Sequence, residues 1–187
     1  MKVICGLGNP GAEYEATRHN VGWWVLEAAR RSWDLPPFRR EGAALVSAGI
    51  VAGDELLLLA PRTYMNRSGR ALAPLLVVPG WDFRQDLLVV VDDTALATGR
   101  VRFRARGSSG GHNGLRSIEA MLHSQDYARL RIGVGAPPPD LDRAEWVLAP
   151  FGEAEAAQVR ELVAGLPAAL ELWLEEGAEA AGSRFNR

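Results

Sequence analysis

The densest apolar run of the chain is LLVVV at residues 87–91. A run of this length is too short to cross a membrane and has the length of a β-strand. Because every side chain in it is apolar, both of its faces must be buried, as happens when helices cover both faces of a parallel sheet. A second short apolar run, at residues 2–6, leads into the tight loop GLGNPG. The two runs predict an α/β fold.

Helical and strand-like segments alternate along the rest of the chain. Gly53 and Asp54 lie between two strand-like segments and predict a hairpin, whereas Pro74 and Pro167 are expected to disturb two helices. The whole pattern predicts a single domain over residues 1–187, built on a mixed, twisted β-sheet flanked by helices. The predicted helices are residues 20–33, 63–77, 115–123 and 153–179, and the further strands are 43–50, 55–60 and 128–135.

The bulk composition excludes several classes of protein. The net charge is −2 at pH 7 and the pI is near 6.0, so any binding of nucleic acid must depend on a local basic surface. The first residues lack the apolar core and the cleavage site of a signal peptide, and a lone cysteine, Cys5, provides no disulfide framework. We therefore expect a cytoplasmic protein that does not interact with membranes.

One basic segment could provide such a surface. RVRFRAR at residues 100–106 alternates arginine with less polar residues. If the segment is a strand, all four arginines point to one face: Arg100, Arg102, Arg104 and Arg106. An ordinary amphipathic strand with a solvated face is one interpretation. An anion site is the other, because four arginines occur without an acid and the planar guanidinium fits phosphate oxygens.

Polar residues follow the predicted strands or stand beside glycines. Asn9 follows the first strand, Asp92 follows the apolar strand, and Asn113 lies in a glycine-rich loop before a helix. Ligand sites of open α/β sheets form at the carboxyl ends of strands, so we expect these side chains to converge on one crevice. The full set is Asn9, His19, Asn20, Asn66, Asp92, Asp93, His112 and Asn113.

Several kinds of chemistry are disfavoured by the spacing of these residues. His19, His112 and Asp92 could in principle bind a metal, but the chain has neither the HExxH nor the CxxC spacing. No GxSxG motif is present for a serine nucleophile, and Cys5 falls in the middle of a predicted buried strand. GLGNPG resembles a dinucleotide-binding fingerprint only superficially, since its last glycine is misplaced.

The remaining option is a histidine that acts as general base on water. His19 is the candidate base, and Asp92 could fix the tautomer of its imidazole. Neighbouring asparagines could donate hydrogen bonds to a carbonyl group or to a developing oxyanion. A histidine near a helix start can also be a cap or a packing residue, and an asparagine beside a glycine can simply form a turn.

Six motifs, in order along the chain, resemble those of the bacterial peptidyl-tRNA hydrolase family. The blocks TRHNVG and GGHNG are highly specific within a chain of this length. The resemblance runs from residue 3 to about residue 151. The motifs are GLGNPGAEYEATRHNVG at 6–22, PRTYMNRSG at 61–69, DD at 92–93, GSSGGHNGLRSI at 107–118, RLRIGVG at 129–135 and WVLAPF at 146–151.

The resemblance implies an esterase that cuts the bond between a peptide and the 3′ end of its tRNA. His19 would activate the hydrolytic water and Asp92 would orient His19. Arg104 and Arg131 match positions where the family places basic residues that clamp a tRNA phosphate. The family implies a mixed sheet flanked by helices, a monomer and no metal or other cofactor.

The resemblance also implies a set of substrate-binding residues. Asn9 and Asn113 would hold the substrate and the water. Asn66, with Met65 beside it, would bind the peptide main chain near the reacting carbonyl. Tyr14 would line the place where the 3′-terminal nucleotide or the peptide lies.

The chain departs from the family pattern in two places. Residues 94–98 read TALAT where the family usually has a leucine, another acid and a proline, which concerns the rigidity of the loop more than the carboxylate of Asp92. Arg104 stands where lysine is frequent, and a guanidinium need not hold phosphate in the same pose. We also expect the proline-rich loop APPPDLDR, at residues 136–143, to border the substrate channel.

Two other functions remain open at this point. The first is a non-catalytic RNA-binding relative, since some organellar members of the family serve as RNA-splicing partners. The second is a hydrolase of the same fold that acts on a different small ester or amide. The salt dependence of tRNA binding would separate them, because each phosphate contact adds about 0.7–0.9 to the log–log slope.

Overall fold

The computed structural model describes residues 1–186, so Arg187, the last residue of the predicted domain, lies outside the described residues. The chain forms one seven-stranded mixed sheet with helices on both faces, which confirms the predicted fold class. No helix within residues 1–186 is long and apolar enough to span a membrane. The strands are β1 (Lys2–Gly6), β2 (Arg39–Glu41), β3 (Ala44–Val51), β4 (Asp54–Pro61), β5 (Leu87–Asp93), β6 (Val101–Arg104) and β7 (Ala128–Gly133).

Six α-helices and one long 3₁₀ helix surround the sheet. The 3₁₀ helix covers Met65–Val77. Pro74, which was expected to disturb a helix, lies inside it. Two short 3₁₀ turns, Ala12–Tyr14 and Arg18–Asn20, precede the first α-helix. The α-helices are α1 (Val21–Ser32), α2 (Phe83–Asp86), α3 (Asn113–Leu122), α4 (Arg143–Leu148), α5 (Glu153–Gly165) and α6 (Pro167–Phe185).

The strand order β2-β3-β4-β1-β5-β7-β6 determines where a site can form. The central pairs β4–β1, β1–β5 and β5–β7 are parallel, whereas the pairs toward the two edges are antiparallel. The carboxyl ends of β1 and β5 therefore lie side by side. Asn9 follows β1, and Asp92 lies near the end of β5, so both reach the same edge of the sheet.

Each face of the sheet carries its own hydrophobic core. The alternation of side chains along β1 sends Ile4 to one face and Val3 and Cys5 to the other. Helices α1, α5 and α6 cover the first face, and the 3₁₀ helix and α3 cover the second. Every residue of β5 is buried, as the apolar run at residues 87–91 predicted.

A glycine at the start of α1 allows this helix to approach the sheet closely. A Cβ atom at Gly22 would clash with the backbone of Leu7 and with the carbonyl oxygen of Val90. The first turn of α1 therefore lies directly against the ends of β1 and β5. The turn that precedes α1 carries His19, so this contact holds His19 beside Asp92.

The observed arginine-rich strand is shorter than the predicted one, and some short elements were missed. Only Val101–Arg104 of the arginine-rich segment is a strand, so Arg102 and Arg104 share a face while Arg100 and Arg106 lie outside β6. Antiparallel pairing with β7 ends at Arg104, which limits the strand. The elements β2, α2 and α4 were not predicted, because segments of three to six residues carry little periodicity.

Candidate active site

Six of the eight predicted polar residues line a cleft of about 480 Å³ at the carboxyl edge of the sheet, whereas Asn20 and Asp93 do not. The loop after β1 and the end of β5 form its floor, and the first turns of the 3₁₀ helix, α3 and α4 form its walls. Eight of its lining residues were predicted from the sequence: Asn9, Tyr14, His19, Met65, Asn66, Asp92, His112 and Asn113. Its other lining residues are Tyr64, Gly111, Asp142, Arg143, Ala144, Val147 and Leu148.

His19 and Asp92 contact each other at the centre of the cleft. The Nδ1 atom of His19 lies 2.8 Å from Oδ1 of Asp92, and both side chains are more than nine-tenths buried. Because a carboxylate only accepts hydrogen bonds, Nδ1 of His19 carries the proton and donates it. The Nε2 atom of the neutral imidazole then keeps a free lone pair, and His19 borders the cleft.

His112 contacts the same carboxylate oxygen from the other side. Its Nε2 atom lies 2.9 Å from Oδ1 of Asp92, and its Nδ1 atom accepts hydrogen bonds from the backbone N–H groups of Gly114 and Leu115. His112 is thus the N-cap of α3. Its tautomer is fixed, because Nδ1 must be an acceptor and Nε2 must be the donor.

Burial and the two histidines set the ionisation of this group. Burial lowers the pKa of His112, so its imidazole stays neutral at pH 7. Burial raises the pKa of Asp92, but the attraction and hydrogen bonds of His19 and His112 together outweigh this effect. The pKa of Asp92 therefore lies well below its usual range, and its carboxylate remains charged.

The same three residues are the only ones within residues 1–186 that group as His, Cys, Asp or Glu ligands for a metal. Their ligand atoms lie within 4.8 Å of one another. A metal on His112 would need a lone pair at Nε2, whereas the two backbone donors at Nδ1 keep the proton on Nε2. The geometry therefore fits a hydrogen-bonded triad better than a metal centre.

Asn9 is held so that its amide N–H₂ faces the cleft. Its Oδ1 atom accepts the backbone N–H of Met65 at 2.8 Å, at the start of the 3₁₀ helix. Asn20 fixes the backbone of Asn9 with two hydrogen bonds of 2.9 Å each. Because Oδ1 is occupied by a donor, the Nδ2 group is the part of Asn9 left for a ligand. Asn20 thus supports the cleft without lining it.

A buried arginine connects the His19 turn to α4. The guanidinium of Arg18 donates to the carbonyl oxygens of Ala149 and Pro150 and pairs with Glu155 at 2.7 Å. Its Cζ atom lies 3.4 Å from the ring centroid of Trp146. The wall formed by α4 is therefore attached to the residue that precedes His19.

The two predicted clamp residues lie outside the cleft, on the last two strands. Arg131 on β7 is partly exposed and forms an ion pair of 2.9 Å with the buried Asp93. Arg104 on β6 is exposed and forms no ion pair with the described residues. The register pairs Arg102 with Arg131 across the two strands, which places Arg102 on the same face.

Other parts of the site differ from the sequence expectations or extend them. The loop at residues 94–98 is hydrogen-bonded to the end of β7 through Leu96 and Gly135. The loop at residues 136–143 reaches the cleft through Asp142 and Arg143, although its prolines at residues 137–139 do not line it. Asp142 is the N-cap of α4, and an aspartate three residues before Glu145 is a helix-start signal that could have predicted this wall.

His112 lies in the cleft as the sequence predicted, but its contact with Asp92 was not predicted. The sequence indicated only a member of the polar set and a possible metal ligand, and the contact with Asp92 joins residues 20 positions apart. Its position before a helix was the one available signal, since a residue there caps the helix through a side-chain acceptor.

Comparison with known proteins gives the family. A family model described as "Peptidyl-tRNA hydrolase" matches residues 3–187. The chain belongs to the peptidyl-tRNA hydrolase family. The resemblance found in the sequence motifs is thereby confirmed, and the match includes every residue of the cleft.

Curated members of the peptidyl-tRNA hydrolase family are similar over their whole length. The chain is 47% identical over 192 residues to the peptidyl-tRNA hydrolase of Gemmatimonas aurantiaca, with 100% of each covered. It is 43% identical over 191 residues to that of Symbiobacterium thermophilum, with 99% of this chain and 98% of the relative covered. The crystal structure of the peptidyl-tRNA hydrolase from Acinetobacter baumannii matches with a TM-score of 0.89 and 29% identity, over 100% of this chain and 94% of that chain.

Proposed function

We propose that the chain hydrolyses the ester bond between a peptide, or an N-blocked amino acid, and the 3′ end of tRNA. His19 acts as the general base. The observation that carries this proposal is the contact of His19 Nδ1 with the charged, buried Asp92, which leaves the Nε2 lone pair toward the cleft. An imidazole held in this way can accept a proton from water at neutral pH.

The reaction follows from this geometry in two steps. In the first, Nε2 of His19 takes a proton from water while the water oxygen attacks the ester carbonyl carbon. Asp92 stabilises the imidazolium that forms, as the aspartate does in a catalytic triad. In the second, the tetrahedral intermediate breaks its bond to the terminal ribose oxygen, and that oxygen receives the proton from His19.

Asparagine side chains would stabilise the charge that develops on the carbonyl oxygen. Asn9 has its Nδ2 group free for this purpose, and Asn113 lies at the first turn of α3 on the facing wall. One preorganised donor is worth about 10²–10³ in rate. Asn113 would also hold the attacking water.

The remaining walls of the cleft suit the two ends of the substrate. Asn66 is exposed beside the buried Met65 and would bind the peptide main chain near the reacting carbonyl. Tyr14 is half-buried and would lie against the terminal nucleotide or the peptide. Outside the cleft, Arg104 and Arg131 would bind a tRNA phosphate, which lets a protein of net charge −2 hold RNA.

We further propose that the reaction needs no metal or other cofactor. The fixed tautomer of His112 supports this, since both of its nitrogens already have partners. We propose that the protein works as a monomer in the cytoplasm, in line with the sequence expectation.

The test is the release of an N-blocked amino acid from its tRNA by the purified protein in the presence of a chelator. His19→Asn should lower kcat by at least about a hundredfold, because it removes the base. His123→Asn is the matched control, since His123 is exposed at the end of α3 and asparagine tolerates its left-handed backbone, with φ of 50°. His123→Asn should keep the wild-type rate.

Other outcomes would point to different functions. Turnover that chelator abolishes would contradict the metal-free mechanism. No turnover by the wild type, with salt-sensitive binding of tRNA intact, would favour a non-catalytic RNA-binding protein. Turnover of small esters without any tRNA binding would favour a hydrolase with a different substrate.

A further inference from the structure

A second buried arginine, Arg129 on β7, has no part in the mechanism above. It is only 1% exposed and is the largest of the fully buried side chains among the described residues. No carboxylate of residues 1–186 lies within ion-pair distance of it. Arginine is rarely buried without an acidic partner, because removing its charge from water costs free energy that something else must offset.

Backbone carbonyl groups accept the hydrogen bonds of Arg129, and the carboxylate of Glu119 attracts its charge from beyond ion-pair distance. Its Nη1 atom donates to the carbonyl oxygen of Ser108 at 3.0 Å, and its Nη2 atom donates to that of Gln125 at 3.2 Å. The ring of Tyr127 lies beneath the guanidinium, with the ring centroid 4.3 Å from Cζ. The two arms of the planar guanidinium thus hold two different loops.

The two loops are those that enter and leave α3. Ser108 belongs to the glycine-rich loop before α3, and Gln125 belongs to the loop after it. The loops also contact each other, since the N–H of Gly107 donates to the carbonyl oxygen of Gln125 at 3.2 Å. Arg129 therefore fixes both ends of a helix whose N-cap is His112.

The entering loop is rich in glycine, which restrains the backbone less than any other residue. Gly107, Gly110 and Gly111 all have positive φ angles, of 147°, 56° and 82°. Glycine has the largest conformational freedom of any residue, so the loop by itself does not fix the position of His112. Between the loop and the site, the N–H of His112 donates to the carbonyl oxygen of Ser109 at 3.0 Å.

We propose that Arg129 is a positioning residue that sets His112 against Asp92 by holding the two loops around α3. His112 then keeps Asp92 in place for His19. The enzymatic part of this inference rests on the proposed function, whereas the position of His112 can be observed without it.

Two substitutions separate this role from simple electrostatic attraction of RNA. Arg129→Met removes the guanidinium but keeps an unbranched apolar chain, so no charge is left buried. Arg129→Lys keeps the charge, but its compact ammonium group cannot donate to both carbonyls in the fork geometry of arginine. Both variants should lower kcat about tenfold with KM within about twofold of wild type, because a misplaced catalytic group slows the chemical step.

A matched control lies on the other face of the sheet. Arg30 on α1 also donates to a backbone carbonyl beyond its helix, that of Leu35 at 3.0 Å. Arg30→Met therefore removes a similar tether away from α3, together with the ion pair of Arg30 with Glu27. It should keep the wild-type kcat, even if it lowers the melting temperature as much as Arg129→Met does.

Comparison of kcat and KM on two substrates distinguishes a positioning role of Arg129 from a direct role in RNA binding. The kcat loss in Arg129→Met should be equal on N-blocked aminoacyl-tRNA and on a short 3′ fragment that carries the same ester. A rise in KM confined to the full tRNA, reversed in Arg129→Lys, would mean that Arg129 acts through its charge on RNA and would overturn the proposal. An unchanged kcat with a lower melting temperature would overturn it as well.

Nuclear magnetic resonance gives an outcome that does not depend on activity. The proton on Nε2 of His112 should resonate at a distinct position in wild type and in Arg30→Met, and should shift or broaden in both Arg129 variants. An unchanged His112 signal in Arg129→Lys and Arg129→Met would refute the positioning role. If the wild type shows no hydrolysis, the proposed function fails, but this signal still tests the role of Arg129.

Discussion

Two regions of the molecule each bring a histidine to the same oxygen of Asp92. The turn Arg18–Asn20 carries His19, and the N-terminus of α3 carries His112. Their distances to Oδ1 are almost equal, at 2.8 and 2.9 Å. The difference lies in the second ring nitrogen, which is free toward the cleft in His19 and bonded to backbone N–H groups in His112.

This difference teaches that contact with a carboxylate does not make a histidine a base. A base needs a lone pair that substrate or water can reach, and only His19 offers one. Both ring nitrogens of His112 form hydrogen bonds within the protein, and burial of the ring further disfavours its charged form. The two residues therefore support different roles, although either alone could be mistaken for the base from the sequence.

The largest expected effect is the difference in kcat between asparagine substitutions at His19 and at His112. His112→Asn should lower kcat by about tenfold at most, whereas His19→Asn should lower it by about a hundredfold or more, because only the latter removes the proposed proton acceptor. Asparagine is also a good N-cap, so α3 should still form in His112→Asn. Steady-state kinetics on N-blocked aminoacyl-tRNA makes the comparison. Equal losses at both positions would contradict the division of roles.

The second prediction concerns stability as the pH falls. The pKa of His112 is lowered in the folded protein, so below its unfolded value of 6.5 the unfolded chain takes up a proton that the folded chain does not. The stability that His112 contributes is therefore present above pH 6.5 and is lost as the pH falls through the folded pKa. Between pH 7 and pH 5, wild type should lose more free energy of unfolding than His112→Asn.

The size of this difference has an upper limit set by one proton, about 1.4 kcal/mol per pH unit. Urea denaturation of both proteins at pH 7, 6 and 5 measures it. In the wild type Asp92 does not titrate in this range, because its pKa is held below the usual value of 3.8. Parallel stability curves for the two proteins would mean that His112 binds its proton equally well in the folded state.

The smallest expected effect concerns tRNA binding. It tests whether His19 and His112 affect only the hydrolysis step. Neither His19→Asn nor His112→Asn should change the salt dependence of tRNA binding. Arg104→Gln should lower the log–log slope by about 0.7–0.9, because it removes one phosphate contact. Filter binding or fluorescence anisotropy over a range of salt concentrations measures the slope. An unchanged slope in Arg104→Gln would exclude it from the phosphate clamp.

Arg131→Gln offers a useful contrast to Arg104→Gln. Arg131 neutralises the buried Asp93, so its loss leaves a carboxylate without its partner. We expect a lower melting temperature for Arg131→Gln and an unchanged one for Arg104→Gln, because Arg104 is exposed and unpaired among the described residues.

Much of the fold and of the site could be read from the chain because those signals are local. The apolar run at residues 87–91 predicted a strand buried on both faces, and Gly53 with Asp54 predicted the hairpin of β3 and β4. The motif around His19 and the asparagine-containing loops gave the residues that line the cleft. Each of these patterns is complete within a few neighbouring residues.

The tertiary structure alone decided how the two histidines differ. His19 and Asp92 are 73 positions apart, and their contact depends on β1 and β5 pairing in parallel and on Gly22 letting α1 approach the sheet. The burial of Arg129 likewise depends on loops that the sequence leaves open. Strand order, register and burial arise from contacts between distant segments, so no local pattern encodes them. The sequence predicted the histidines, the asparagines and the carboxylate of the cleft, and the packing of the sheet against α1 and α3 decided which nitrogen remained free.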